Sequence, residues 1–178
     1  MVFKPNFKRV EVRMNKNQSQ FEKIYQANYQ KVIRVCMGYV NGDEALAKDL
    51  TQEVFIKVWE SLASFRKEAS ISTWIYRITV NTCLLQLRKK KYLKGEEAIE
   101  KLSHTVDEDQ PSKENQIRRM YQCINKLPKD SKGIILLELE GLPQKDIAEV
   151  MGLSHEAVRV RIHRIKNSLT KYVQNDSI

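Results

Sequence analysis

From Phe21 onward the apolar residues keep a helical period along most of the chain. Phe21, Tyr25, Tyr29, Val32, Cys36 and Val40 recur every three or four residues and predict one long core helix, closed by the turn signal Asn41-Gly42. Asp43 is placed to cap a second helix running to about Leu62, with Leu46, Leu50, Val54, Val58 and Leu62 facing inward. A polar loop from Ala63 to Ile71 then leads to a third helix, Trp74 to about Lys90, capped by Ser72 or Thr73. Its inward set reads as Trp74, Ile78 and Leu85, with Ile75 and Thr82 beside it. Residues 1–18 are polar and basic, contain Pro5 and keep no period, which predicts a mobile arm.

The pattern breaks from Gly95 to Lys113, where acidic residues, Ser103, Pro111 and Ser112 predict a linker. Helix resumes near Glu114 with Ile117, Met120, Ile124 and Leu127 as its apolar stripe and stops at Pro128. Another helix from about Asp130 to Glu140 carries the run Ile134-Ile135-Leu136-Leu137 and ends at Gly141. Gly133 inside it costs roughly 1 kcal/mol relative to Ala and has no local reason. No strand is predicted.

The stretch from Pro143 to Tyr172 has the outline of a helix-turn-helix. Gln144 to Met151 forms the short helix, Gly152-Leu153-Ser154 the turn, and His155 to Tyr172 the second helix. Gly152 suits the left-handed conformation that ends a helix, and Ser154 can accept from the free N–H groups of the next. Val158, Ile162, Ile165 and Leu169 form one apolar stripe. At about 100° per residue, Val160 and His163 fall opposite that stripe, Arg164 beside them, and Arg159 and Lys166 on a flank. This is the face that a recognition helix turns to a major groove: Arg can donate twice to guanine, whereas Lys166 and Lys171 suit phosphates. A solvated basic helix on a small bundle is the plainer reading of this stretch alone.

Charge sharpens this outline. The net charge of +9 is unevenly placed, with basic blocks before residue 95 and after residue 116 flanking an acidic connector. Basic bodies favour polyanions, nucleic acid above all. Against that background Asp49, Gln52, Glu53 and Ile56 line up on one side of the second helix as an acidic and apolar stripe, which needs a partner other than DNA unless it is simply a solvated face, the plainer reading of this segment alone. On the third helix Arg77, Asn81 and Arg88 share a face, and the helix ends in the cluster Arg88-Lys89-Lys90-Lys91. The loop before it carries Phe65, Arg66 and Lys67.

Cys36, Cys83 and Cys123 are isolated along the chain and read as reduced core or semi-buried thiols. Neither a zinc-ligand spacing, a Gly-rich phosphate loop nor a catalytic constellation is present, so no metal, cofactor, small-molecule substrate or enzymatic activity is expected. No apolar run approaches the roughly 18 residues of a membrane span and no signal peptide is visible, so the expected location is the cytoplasm.

Three segments in this order, Asp49 to Trp59, Thr73 to Asn81, and Leu127-Pro128 followed by the helix-turn-helix, closely resemble the extracytoplasmic-function (ECF) type of bacterial sigma factor. The likeness covers Phe21 to Tyr172. It implies an all-α chain of two small helical domains joined by a flexible acidic linker, the C-terminal one ending in the helix-turn-helix. The expected limits are a basic arm at 1–18, an N-terminal domain at 19–94, the linker at 95–113 and a C-terminal domain at 114–178.

The function implied is to bind core RNA polymerase, recognise two promoter elements and assist strand opening. Asp49, Gln52, Glu53 and Trp59, with Ile56 on the same stripe, match positions that grip the clamp helices of the largest polymerase subunit. Phe65 and Asn81 match positions that capture an unpaired base of the minus-ten element, flanked by Arg66, Lys67, Arg77 and Arg88. Arg159, His163 and Arg164 match the face that reads the minus-thirty-five element, with Val160, Lys166 and Lys171 nearby. The acidic linker matches a segment threaded near the RNA path, and an anti-sigma protein is a further partner the resemblance implies. Pro143 departs from the polar or aromatic residue usual before the helix-turn-helix, but Pro is tolerated at a first helical position. The rival, a stand-alone helix-turn-helix regulator, leaves the acidic stripe and the Trp74-to-Asn81 segment unexplained together.

Overall fold

A computed structural model describes the backbone of residues 7–94 and 113–175 and the side chains of residues 17–89 and 115–172. Residues 1–6 of the expected arm and 95–112 of the expected linker lie outside the described residues. Among the described residues seven α-helices occur: α1 Phe7–Tyr39, α2 Glu44–Ser61, α3 Ile71–Lys94, α4 Lys113–Asn125, α5 Lys129–Leu139, α6 Gln144–Met151 and α7 His155–Asn175. A single 3₁₀ turn, Leu62–Ser64, follows α2, and no strand occurs among the described residues.

Helix α1 begins at Phe7 and so takes in most of the stretch expected to be a mobile arm. Its C-terminal end is set by Asn41 and Gly42, both at positive φ (58° and 81°), a conformation that Gly and Asn tolerate best. Asp43 then caps α2, its carboxylate accepting from the Leu46 N–H at 3.0 Å as the sequence predicts.

Helix α2 buries Leu50, Val54 and Val58, and also Ala47, Thr51 and Phe55, so its buried face is wider than the four-residue repeat. Thr51 is tolerated there because its hydroxyl donates to the Ala47 carbonyl.

The third helix is centred inward on the flank expected beside its apolar set, so Ile75 and Thr82 are buried as expected and Leu85 is not. Ile75, Tyr76, Thr79, Val80, Thr82 and Cys83 are buried, Trp74 and Ile78 are half-buried, and Leu85 is 44% exposed. Helix α3 is covered from several sides, by α1, α2 and α6, so its buried arc is not centred on its largest apolar residues. Its cap differs too: Ser70 Oγ accepts from the Thr73 N–H at 3.0 Å, which moves the helix start ahead of Ser72 and Thr73. In the predicted stripe of α4, Ile124 and the following Leu127 are buried, but Ile117 and Met120 are exposed and Tyr121 and Cys123 are buried in their place.

The helix-turn-helix forms as its sequence predicts. Gly152 adopts φ 66°, and the Leu153 N–H returns to the Ala148 carbonyl at 2.9 Å, which closes the helix end. Ser154 Oγ accepts from the Ala157 N–H at 3.1 Å. Val158, Ile162 and Ile165 are buried and Leu169 packs at their edge. Pro143 occupies the capping position before α6 rather than its first turn, and its carbonyl accepts from Asp146 and Ile147.

The N-terminal helices α1 to α3 and the C-terminal helices α4 to α7 share one continuous buried cluster. Helices α1 and α3 lie against α4, α5 and α6, an association that helical periodicity does not reveal. All three cysteines are free and buried, and Cys36 and Cys83, distant in sequence, bring their sulfurs to 3.8 Å.

Candidate nucleic-acid and partner interfaces

Helix α2 carries two sides of unlike character. Its inner side is core, and its outer side presents Asp49, Gln52, Ile56 and Trp59 to solvent. Ile56 is 57% exposed and Trp59 44%, and with Tyr25 at 39% nearby they put apolar surface beside the acidic groups of this face. Glu53 belongs to the same side but is half-buried: Lys57 Nζ donates to its carboxylate at 2.6 Å and to Thr82 Oγ1 of α3 at 3.0 Å. Lys57 therefore fixes the direction of Glu53 and ties α2 to α3. Phe21 meets the Trp59 ring edge-on at 5.1 Å, and Tyr25 lies 4.7 Å from Phe55. The aromatic ladder of α1, read from sequence as core, is thus the shelf on which Trp59 rests.

The loop after α2 places Phe65 half-buried, its ring 4.8 Å from that of Trp74. Arg66 is exposed and only loosely paired with Glu68 at 3.9 Å, and Lys67 holds a positive φ of 60°. Asn81 and Arg88 are exposed on α3, as the spacing predicts. Arg77 is exposed as well, but its guanidinium donates to the Glu149 carbonyl of α6 at 2.7 Å and lies 3.6 Å from the Glu149 carboxylate. Of this group, Arg77 is the residue already engaged by the C-terminal helices.

On α7, Arg159, Val160, His163 and Arg164 line one shallow concavity of about 310 Å³. Val160 is 45% exposed, and His163 Nδ1 lies 3.3 Å from the Asn167 amide. Val160, His163 and Arg164, grouped by helical rotation, fall together, and Arg159 from the flank joins them. Lys166 does not join them: its ammonium donates to Glu138 of α5 at 3.0 Å, so it points along the domain flank. Lys171 is exposed one turn further on. Among the described residues no group of three or more His, Cys, Asp and Glu side chains converges to hold a metal ion, and no helix is long and apolar enough to cross a membrane.

An outward recognition helix in a four-helix unit, joined to a three-helix unit bearing basic and acidic-apolar faces, defines a helix-turn-helix DNA-binding protein. Comparison with known proteins narrows the class. Residues 24–92 match the family described as Sigma-70 region 2, and residues 117–169 match Sigma-70, region 4. The ECF RNA polymerase sigma-E factor of Haemophilus influenzae is 34% identical over 163 residues, covering 81% of this chain and 82% of that protein. The RNA polymerase sigma factor YlaC of Bacillus subtilis is 28% identical over 173 residues, 92% of this chain and 99% of that one. The sigma factor RpoE from Bartonella quintana, solved in complex with the anti-sigma factor NepR, shares the fold with a TM-score of 0.72 at 19% identity, covering 87% of this chain and 97% of that chain. The chain belongs to the ECF family of RNA polymerase sigma factors, whose role is promoter-directed initiation of transcription.

Proposed function

We propose that the outer side of α2 is the polymerase contact, with Asp49, Gln52, Glu53, Ile56 and Trp59 docking on the clamp helices of the largest subunit of core RNA polymerase. The observation that carries this is the exposure of Ile56 and Trp59 beside acidic groups in a chain of net charge +9. DNA would be repelled by the carboxylates and gain nothing from the apolar pair, whereas a protein surface matches both. Phe65 and Asn81, with Arg66, Lys67, Arg77 and Arg88 around them, capture an unpaired base of the minus-ten element. Arg159, Val160, His163 and Arg164 face the minus-thirty-five duplex, and Lys171 meets phosphate. Lys166, held by Glu138, contributes only if that pair opens.

In this reading the functional units are residues 19–94 and 114–178 with the acidic segment between them. The chain acts as a non-enzymatic specificity subunit in the cytoplasm, and an anti-sigma protein is its further partner.

The test is retention of core polymerase by the variant Gln52→Ala/Glu53→Ala. Gln52 is exposed and Glu53 half-buried, so helicity should hold while core binding is lost. Full retention of core by a folded double variant contradicts the assignment.

A further inference from the structure

Two of the three cysteines meet inside the N-terminal helices. Cys36 of α1 and Cys83 of α3 stand 47 residues apart, yet the Cys83 thiol donates to Cys36 Sγ at 3.8 Å. Both side chains are fully buried. Packing asks only for a small apolar side chain at each position, so it does not account for sulfur at both. The two thiols are also unlike. Cys36 is held below its ordinary value, first by the hydrogen bond from Cys83 and then, against its burial, by Thr51 and its own backbone. Cys83 is pushed up by the same hydrogen bond and by burial. Cys36 is therefore the sulfur that gives up its proton and attacks, and Cys83 the one that keeps it. A disulfide sets its sulfurs about 2.05 Å apart, so roughly 2 Å of approach separates this contact from a bond.

We propose that Cys36 and Cys83 form an oxidisable dithiol site whose oxidant is a small hydroperoxide and whose product is a disulfide that staples α1 to α3. Cys36 Sγ attacks one oxygen of the hydroperoxide: an S–O bond forms, the O–O bond breaks, and the departing oxygen takes the thiol proton and leaves as an alcohol, or as water where the oxidant is hydrogen peroxide. Cys83 Sγ then attacks the sulfenic sulfur of Cys36: the S–S bond forms, the S–O bond breaks, and the hydroxyl leaves as water with the Cys83 proton. Two thiols thereby give two electrons to the peroxide bond. The second step joins groups already in contact, so the sulfenic acid is captured before it is oxidised further. Burial sets the size of the oxidant: local opening admits a small hydroperoxide, and a protein disulfide is excluded.

The bond closes a loop that contains all of α2, which makes the oxidised chain harder to unfold. Cys83 follows Asn81 by two residues on α3, so the bond also draws the helix carrying Asn81 toward α1 and lowers strand opening. That effect on opening rests on the function proposed for Asn81; the dithiol site itself does not.

The full chain, reduced and then treated with hydrogen peroxide or tert-butyl hydroperoxide in urea below the unfolding midpoint, tests the site. After denaturation the untreated chain should present three thiols and the treated chain one, with the intact mass lower by two hydrogens and a peptide map joining Cys36 to Cys83. Dithiothreitol should restore all three thiols, the urea midpoint should be higher for the oxidised chain, and Cys123→Ala should form the same bridge. Three thiols persisting after treatment, sulfinic acid without a bridge, or a bridge through Cys123 would overturn the site. Cys83→Ala should stop Cys36 at the sulfenic acid, trapped by dimedone, whereas Cys36→Ala should leave Cys83 without adduct; equal trapping in both refutes the assignment of the attacking sulfur. With peroxide removed and core polymerase added, oxidation should lower permanganate reactivity at the minus-ten element about tenfold or more at unchanged core retention, because a misplacement of about 1 Å is costly for a positioned group. Dithiothreitol should reverse the loss, and Cys36→Ala should show none. If the bridge forms and opening is unchanged while Asn81→Ala is impaired, the effect on opening is refuted; if Asn81→Ala is itself unimpaired, the failure lies with the proposed function.

Discussion

Truncating Phe65 separates a role in strand capture from a role in the fold. Phe65 is half-buried, with its ring 4.8 Å from Trp74 at an interplanar angle of 36°. Phe65→Ala loses that aromatic pair, about 0.5–1.5 kcal/mol, and exposes part of the Trp74 face, so the fold should weaken by roughly 1–2 kcal/mol and remain intact. A base stacked on the ring in the open complex adds a separate loss of about 1–3 kcal/mol, a factor of roughly 5 to 150 in the opening equilibrium. Permanganate reactivity of unpaired thymines, compared at matched promoter occupancy, reads that factor. On a pre-melted template the unpairing cost is already removed, so the variant should approach wild type. Equal opening of duplex promoter by variant and wild type would refute base capture by Phe65, as would a defect that persists undiminished on the pre-melted template.

Two further outcomes follow from the C-terminal domain. Arg164→Ala should cost about 1–3 kcal/mol and relax preference at one upstream base pair, whereas Lys171→Ala should weaken binding evenly across sequences; a base-substitution series in which both act evenly would place Arg164 on phosphate. Lys132 is 5% exposed, donates to Asn125, and is pushed down to about 8 from its ordinary 10.5 by burial and then by Lys129. Between those values the folded chain binds fewer protons than the unfolded one, so stability from this group rises with pH across the window. Urea unfolding should therefore show Lys132→Met more stable than wild type near pH 7, with the gap narrowing by on the order of 1 kcal/mol above pH 9; a gap independent of pH contradicts it.

The helix-turn-helix was legible from sequence because each of its determinants is local. Gly152 and Ser154 set its turn within a few residues of where they stand, and Val158, Ile162 and Ile165 declare the buried side by period alone. Helix α3 is only partly legible, Ile75 and Thr82 falling inside as their period predicts but Leu85 not, because it is buried against more than one neighbour. Thr79 and Thr82 go inside, Thr79 by bonding back to the Ile75 carbonyl and Thr82 by accepting from Lys57, while Leu85 stays out. Residue type and period show which side chains α2, α3 and α7 expose, but not how those side chains pair. Nothing in local spacing shows that Lys57 reaches Thr82, that Lys166 turns to Glu138, or that Arg77 meets Glu149 some seventy residues away. The packing of α5 on α1 left one trace, a glycine with no local reason at position 133.

Promoter-selective transcription with core polymerase alone, this protein alone and the two together tests the central claim most directly. Free protein should bind DNA weakly, with steep salt dependence and little sequence preference, because phosphate contacts dominate such binding. Core alone should initiate without selection, and the mixture should initiate selectively, with permanganate-reactive bases at the minus-ten element. Tight, site-specific footprints from the protein alone, unchanged by core and without selective initiation from the mixture, would contradict the account.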